Sequence, residues 1–316
     1  MTSKKGFLQI SFGWMFALII GAFVLFLAIY FVVQFTGTQQ QSQSGIASND
    51  IGIILNPLET GFESGKKTTL ELNTQTRINN NCSEEGNFGK QFLTVTQQSF
   101  GKWPDSGIKA SFENKYVFSE DTIEGRNFIL FVKPFELPYK IADLEYIIPK
   151  DKKYCFIDVD KLPEILGEIE SLQLDNILNV TKQHQNDCPP NSEKVCFGSS
   201  SGCDISVNDQ SGIVTKKEGS QTYTMVYTSP ELMYAAIFSG PTLYECQLSR
   251  LILRQKQLAS IYSQEALYVS REECNSNLEL NRILSYPYNN PYQLRGLATL
   301  AEDIQKANDN GDCSLW

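Results

Sequence analysis

The chain has 316 residues, 41% of them apolar and 20% charged, an ordinary balance for a globular body. Its formal charge is −9. Lys4 and Lys5 precede the first apolar run and no acid appears before Asp50, so everything beyond that run carries 25 basic against 36 acidic side chains. Such a surface lacks the basic footprint that nucleic acid needs, which argues against a nucleic-acid partner.

Residues 12–35 are free of charge and would make an α-helix about 36 Å long, more than the ~30 Å hydrocarbon core of a bilayer. A cleavable signal has a core of roughly 7–15 apolar residues and a small-x-small cut site. The segment that follows, FTGTQQQSQS, has no such site. The pattern predicts a retained single-pass signal-anchor over 12–35, with residues 1–11 cytoplasmic and the body outside. Lys4 and Lys5 set that orientation, because the next basic residue is Lys66. Gly13, Ala17 and Gly21 share one helix face at i, i+4 and i+8, a spacing that lets a second membrane helix approach closely. The membrane, and a protein partner or a second copy met through this helix, are the expected partners.

Lys4-Lys5-Gly6 before an apolar run, followed by Gln9-Ile10-Ser11-Phe12, resembles the leader and first helix of archaeal type IV pilin-like proteins. The resemblance implies cleavage after Gly6 and a role as a minor component of a surface filament or secretion assembly. It covers some thirty residues, and Gly13 stands where that family has Glu. The rest of the chain looks like uncharacterised archaeal surface proteins.

Residues 36–50 are rich in Gln, Ser and Gly and read as a flexible tether. Residues 51–125 read as β-rich, with IGIIL, KTTLELNTQTRI, KQFLTVTQ and NKYVFS set between Gly, Asn and Pro clusters. Over 126–228 an alternation is expected: a strand at NFILFV, a short helix at YKIADLEYII, a strand at YCFIDV. A helix at LPEILGEIESL and a strand at NILNVT complete it, and together they would form a right-handed parallel α/β unit. Four short strands of meander type follow. In 229–316, Ser229-Pro230 and Gly240-Pro241 start helices, the second running to about Ser270, and Asn290-Pro291 starts another. The apolar stripes Tyr244, Leu248, Leu251, Leu258 and Leu294, Leu297, Ala301, Ile304 predict an antiparallel helical hairpin.

All eight cysteines lie beyond the apolar run, and an even count on the outer side of a membrane reads as disulfides. In a hairpin the returning chain would bring Cys313 beside Cys246, which predicts that pair. Cys82, Cys155, Cys188, Cys196, Cys203 and Cys274 stay unassigned. No metal and no cofactor are expected, since no zinc spacing and no phosphate-binding glycine motif is present. Asn81 and Asn179 match the glycosylation pattern.

Gly198-Ser199-Ser200-Ser201-Gly202 fits G-x-S-x-G, but the elbow needs a following helix and a later histidine. The sole histidine, His184, lies upstream in a polar stretch. A hairpin turn accounts for the motif. Asp158 and Asp160 follow the YCFI strand at its carboxyl end, where α/β ligands bind, and are the catalytic candidates if the chain is a hydrolase. A turn explains them as well. The sequence reading is thus a single-pass membrane anchor plus an extracytoplasmic, disulfide-bonded α+β body with a β-rich N-terminal part, a short α/β unit and a C-terminal helical hairpin. Its expected role is structural or partner-binding at the cell surface, with a carboxylate-dependent hydrolase as the rival.

Overall fold

The computed structural model describes residues 13–32, 67–99, 101–104, 107–198, 202–271, 278–311 and 313–316. The tether, the IGIIL strand, the cleavage position at Gly6 and Cys274 lie outside them. Helix α1, Gly13–Val32, is long and apolar enough to cross a membrane, and all of its residues are exposed. The body is α+β, built on two six-stranded sheets.

The first sheet contains β1 (Lys67–Ser83), β2 (Lys90–Gln97), β3 (Ile108–Phe112), β4 (Tyr116–Phe118), β5 (Thr122–Glu136) and β6 (Lys140–Pro149), in the order β3-β2-β1-β5-β6-β4. All neighbours are antiparallel except β4, which runs parallel to β6. NFILFV is buried on both faces of β5, which is why it reads as a continuous apolar run. Phe128 and Leu130 join Ile78, Leu93, Val95 and Val117 in one core, while Ile129 and Phe131 face a second and larger one.

The sheet rolls up far enough for its distant strands to meet. The Gln91 amide on β2 donates to the Val117 carbonyl at 2.7 Å and accepts from the Val117 N–H at 2.8 Å. Asn80 on β1 donates to the same carbonyl at 3.1 Å, and Gln247 donates to it at 3.2 Å. These side-chain amides satisfy the edge of β4 that faces away from β6. Buried amides of this kind must be paired, and here each bond closes the roll.

The second sheet contains β7 (Tyr154–Ile157), β8 (Ile177–Val180), β9 (Glu193–Phe197), β10 (Ile205–Asn208), β11 (Ile213–Glu218) and β12 (Gln221–Val226), in the order β12-β11-β10-β9-β7-β8. Helix α2, Pro163–Leu172, joins the parallel strands β7 and β8 and buries Ile165, Ile169 and Leu172 as its spacing predicts. Helix α3, Pro230–Phe238, is capped by the Ser229 hydroxyl and buried on every side from Leu232 onward, so it belongs to the core. Helix α4, Pro241–Arg271, lays its first half on the first sheet. The short α5, Asn281–Ser285, and α6, Leu294–Asp309, complete the chain, with an Asn290–Gln293 capping box ahead of α6.

Four expectations are corrected. YKIADLEYII is not a helix but β6, paired with β5 along its whole length. Its β-branched and aromatic residues favour a strand, and the tight Leu137–Tyr139 turn returns the chain directly beside β5. The parallel α/β unit is therefore only β7-α2-β8, and a boundary at 125 cuts through β5. The strands after β8 are not all a meander. β9 and β10 run parallel, and the connection between them is tied by a Cys196–Cys203 disulfide. The motif expected in a hairpin turn has residues 199–201 outside the described part, and the strands on either side of it, β9 and β10, are parallel rather than a hairpin pair.

The fourth correction is the cysteine pair. Cys246 bonds Cys82 on β1, not Cys313, and Cys155 bonds Cys188. Cys313 is disulfide-bonded to another partner. The reason is length. Trp316 packs on Tyr139 and Tyr262, with ring centroids 5.3 and 5.1 Å away. Tyr262 is sixteen residues beyond Cys246 on α4, about 24 Å along the helix axis. The chain end therefore docks at the middle of α4 and never returns to its start.

Candidate functional site

Asp158 ends β7 in a left-handed backbone conformation (φ 62°), which turns its side chain inward, while Asp160 is exposed. Its carboxylate accepts from the Lys182 amide at 2.6 Å and from the Lys161 ammonium at 2.7 Å. Lys161, and then the Lys182 amide, hold this carboxyl below the usual carboxylate range against the opposing effect of desolvation. Both oxygens thus serve the turn that links the ends of β7 and β8. The structure does not bring Asp158 and Asp160 together as a catalytic pair. A shallow concavity of about 290 Å3 beside the turn is lined by Lys161, Phe197 and Asp209 and holds neither of them.

Because the folded-state pKa of Asp158 is depressed, its contribution to stability is full above the ordinary value near 3.8 and is lost as pH falls through the lower folded value. Asp158→Asn should cost about 1 kcal/mol at neutral pH, and the gap to the parent should close in acid. Denaturant titrations from pH 7 to pH 3 check this. A gap that persists at the acid end means that the charge is not what matters.

His184 is exposed, and its Nδ1 lies 2.9 Å from the Thr181 hydroxyl. Among the described residues no group of three His, Cys, Asp or Glu side chains is placed to hold a metal. Asn81 is exposed on β1, whereas the Asn179 amide oxygen on β8 is buried. No atom lies within 4 Å of a Cβ built on Gly13 or Gly21, so that face of α1 is open.

A larger concave feature lies elsewhere. A cleft of about 690 Å3 opens between β4, β6 and α4, walled by Phe88, Tyr116, Ile141, Ala142 and Leu258, with Arg254 reaching in from α4. Glu113 and Asp143 also line it, and each is paired with a lysine: Lys90 at 3.3 Å and Lys140 at 2.9 Å. Arg254 has no carboxylate within ion-pair distance among the described residues and stacks on Phe88, 5.7 Å from the ring centre. Tyr116 is 2% exposed, and its hydroxyl has no hydrogen-bond partner among the described residues. Burial raises that hydroxyl above the ordinary phenol range, although Arg250 and Arg254 pull it down, so it keeps its proton and can donate.

No family model, curated protein or solved structure matches this chain. The cleft has to be understood from its own chemistry. The stripe reading of α4 passed over it because only apolar positions were counted. Gln247, Arg250 and Gln255 are as buried as Leu248 and Leu251. Two arginines one turn apart on a half-buried helix are the signal in the sequence.

Proposed function

We propose that this protein is a membrane-anchored, extracytoplasmic binding protein, held by α1 and presenting its body to a partner outside the cytoplasm. One observation carries the reading: every described cysteine is in a disulfide, and all of them follow a helix apolar enough to span a bilayer. Disulfides of this density persist in oxidising compartments. Lys4 and Lys5 before the span favour an N-in orientation, and the open Gly13, Ala17 and Gly21 face gives a second span a place to pack. The binding role is favoured over hydrolysis because Asp158 is committed to its turn.

Protease added to intact cells, followed by mass spectrometry of the retained N-terminus, tests this. The body should be digested while α1 stays membrane-bound, with a chain that starts at Met1 or Thr2. A protected body sinks the proposal. A start at Phe7 keeps the location and moves the reading to the pilin-like assembly.

A further inference from the structure

We propose that the cleft between β4, β6 and α4 binds a carboxylate carried on an apolar body, with Arg254 as its counter-charge and the Tyr116 hydroxyl as a second donor. This deepens the binding role above and rests on it. The volume, about 690 Å3, is within the range of small-ligand sites. Phe88, Ile141, Ala142 and Leu258 give it an apolar side, and on the same lining Arg254 and the Tyr116 hydroxyl are both donors. Among the described residues Arg254 has no ion-pair partner and the Tyr116 hydroxyl no hydrogen-bond partner, while Glu113 and Asp143 are each paired with a lysine. A buried phenol hydroxyl without a partner costs stability, and because the Tyr116 side chain lines the cleft, a small shift of the ring would let an acceptor from outside relieve that cost.

Arg250 lies one turn before Arg254, with its guanidinium carbon 4.7 Å from the Tyr116 ring centre, and likewise has no carboxylate within ion-pair distance among the described residues. Backbone carbonyls hold it, so its charge adds to the field of the cleft without being available to a ligand. The class of anion follows from the rim. Glu113 and Asp143 would repel a phosphate dianion more strongly than a monoanion, and a guanidinium matches the two oxygens of a carboxylate. The apolar body would lie on Leu258, Ile141 and Phe88. Such a carboxylate can come from a free acid or from the C-terminus of a peptide.

Calorimetric titration of the full chain in non-ionic detergent separates these cases. The probes are 3-phenylpropanoate, its amide, N-acetyl-Ala-Ala-Phe with a free carboxylate, and inorganic phosphate. Both carboxylates should bind, and the amide at least about tenfold more weakly. Tighter binding of the peptide would name a chain terminus as the source, and the reverse a free acid. Arg254→Gln should weaken carboxylate binding about tenfold or more without shifting the melting temperature, since it breaks no ion pair. Tyr116→Phe should weaken binding about fivefold yet melt a few degrees higher, because it removes an unpaired buried hydroxyl. Equal affinity for acid and amide, tighter binding of phosphate, no binding of any probe at about millimolar concentration, or an Arg254→Gln variant that binds like the parent overturns the proposal. These titrations are independent of topology, so a misplaced membrane orientation would leave their outcome unchanged.

Discussion

Arg250→Met is expected to destabilise the body by about 3–5 kcal/mol, although it keeps most of the side-chain volume. Arg250 has no measurable exposure. Its guanidinium donates to the carbonyls of Lys115 at 3.0 Å, Glu113 at 2.9 Å and Phe88 at 3.2 Å, and to the Gln247 side chain. The stem packs on Gly89, where a Cβ would come within 2.7 Å of the Arg250 Cγ; Gly89 also has φ +59°, so glycine is required there twice over. One side chain thus gathers the β1–β2 and β3–β4 connections onto α4. Methionine would withdraw the donor from one buried carbonyl bond and two part-buried ones, the buried bond costing about 1–3 kcal/mol before relaxation and the others less. Arg250→Lys should be nearly as damaging, because one ammonium cannot reach a fork of acceptors. Denaturant midpoints decide the point, and a lysine variant as stable as the parent would show that the charge alone suffices.

The second large effect is expected from opening the Cys82–Cys246 disulfide. The bridge closes a loop of 164 residues, so the loop-closure argument gives a loss of about 5 kcal/mol for the double Cys→Ser variant. The same argument ranks the bridges. Cys155–Cys188 closes 33 residues and Cys196–Cys203 only 7, so their removal should cost progressively less. Unfolding of the three double-serine variants in denaturant gives that order or contradicts it. A loss below about 1 kcal/mol for Cys82 and Cys246 would mean that the unfolded chain is already constrained in that region.

Much of the fold was legible because it rests on local signals. Ser229 and Asn290 act as helix caps, α4 begins at Gly240-Pro241, and α2 buries the three residues that its period selects. What was not legible depends on partners distant in sequence. YKIADLEYII can be written as a helix or a strand by its own pattern, and only β5 decides between them. The pairing of Cys246 depends on β1 meeting the start of α4, which no local motif encodes. The site was missed for a related reason. Asp158 and Asp160 looked available because they sit at the right end of a strand, but a left-handed φ and the Lys182 amide take one of them out of reach. Arg254 and Tyr116 lie 138 positions apart, and neither belongs to a motif. Their chemistry exists only because α4 crosses β4.

The amides of Gln91, Asn80 and Gln247 around Val117 have a consequence beyond closing the roll. An unpaired strand edge is a template on which another chain can add a strand, and from there aggregates grow. β4 borders its sheet with β6 on one side only, yet its outer hydrogen-bonding positions at Val117 are already taken by side chains from its own molecule. Side chains cannot pass the pattern on to a next strand as backbone can. At this edge the sheet ends in buried groups of its own molecule, so β4 offers no template on which another chain could add a strand.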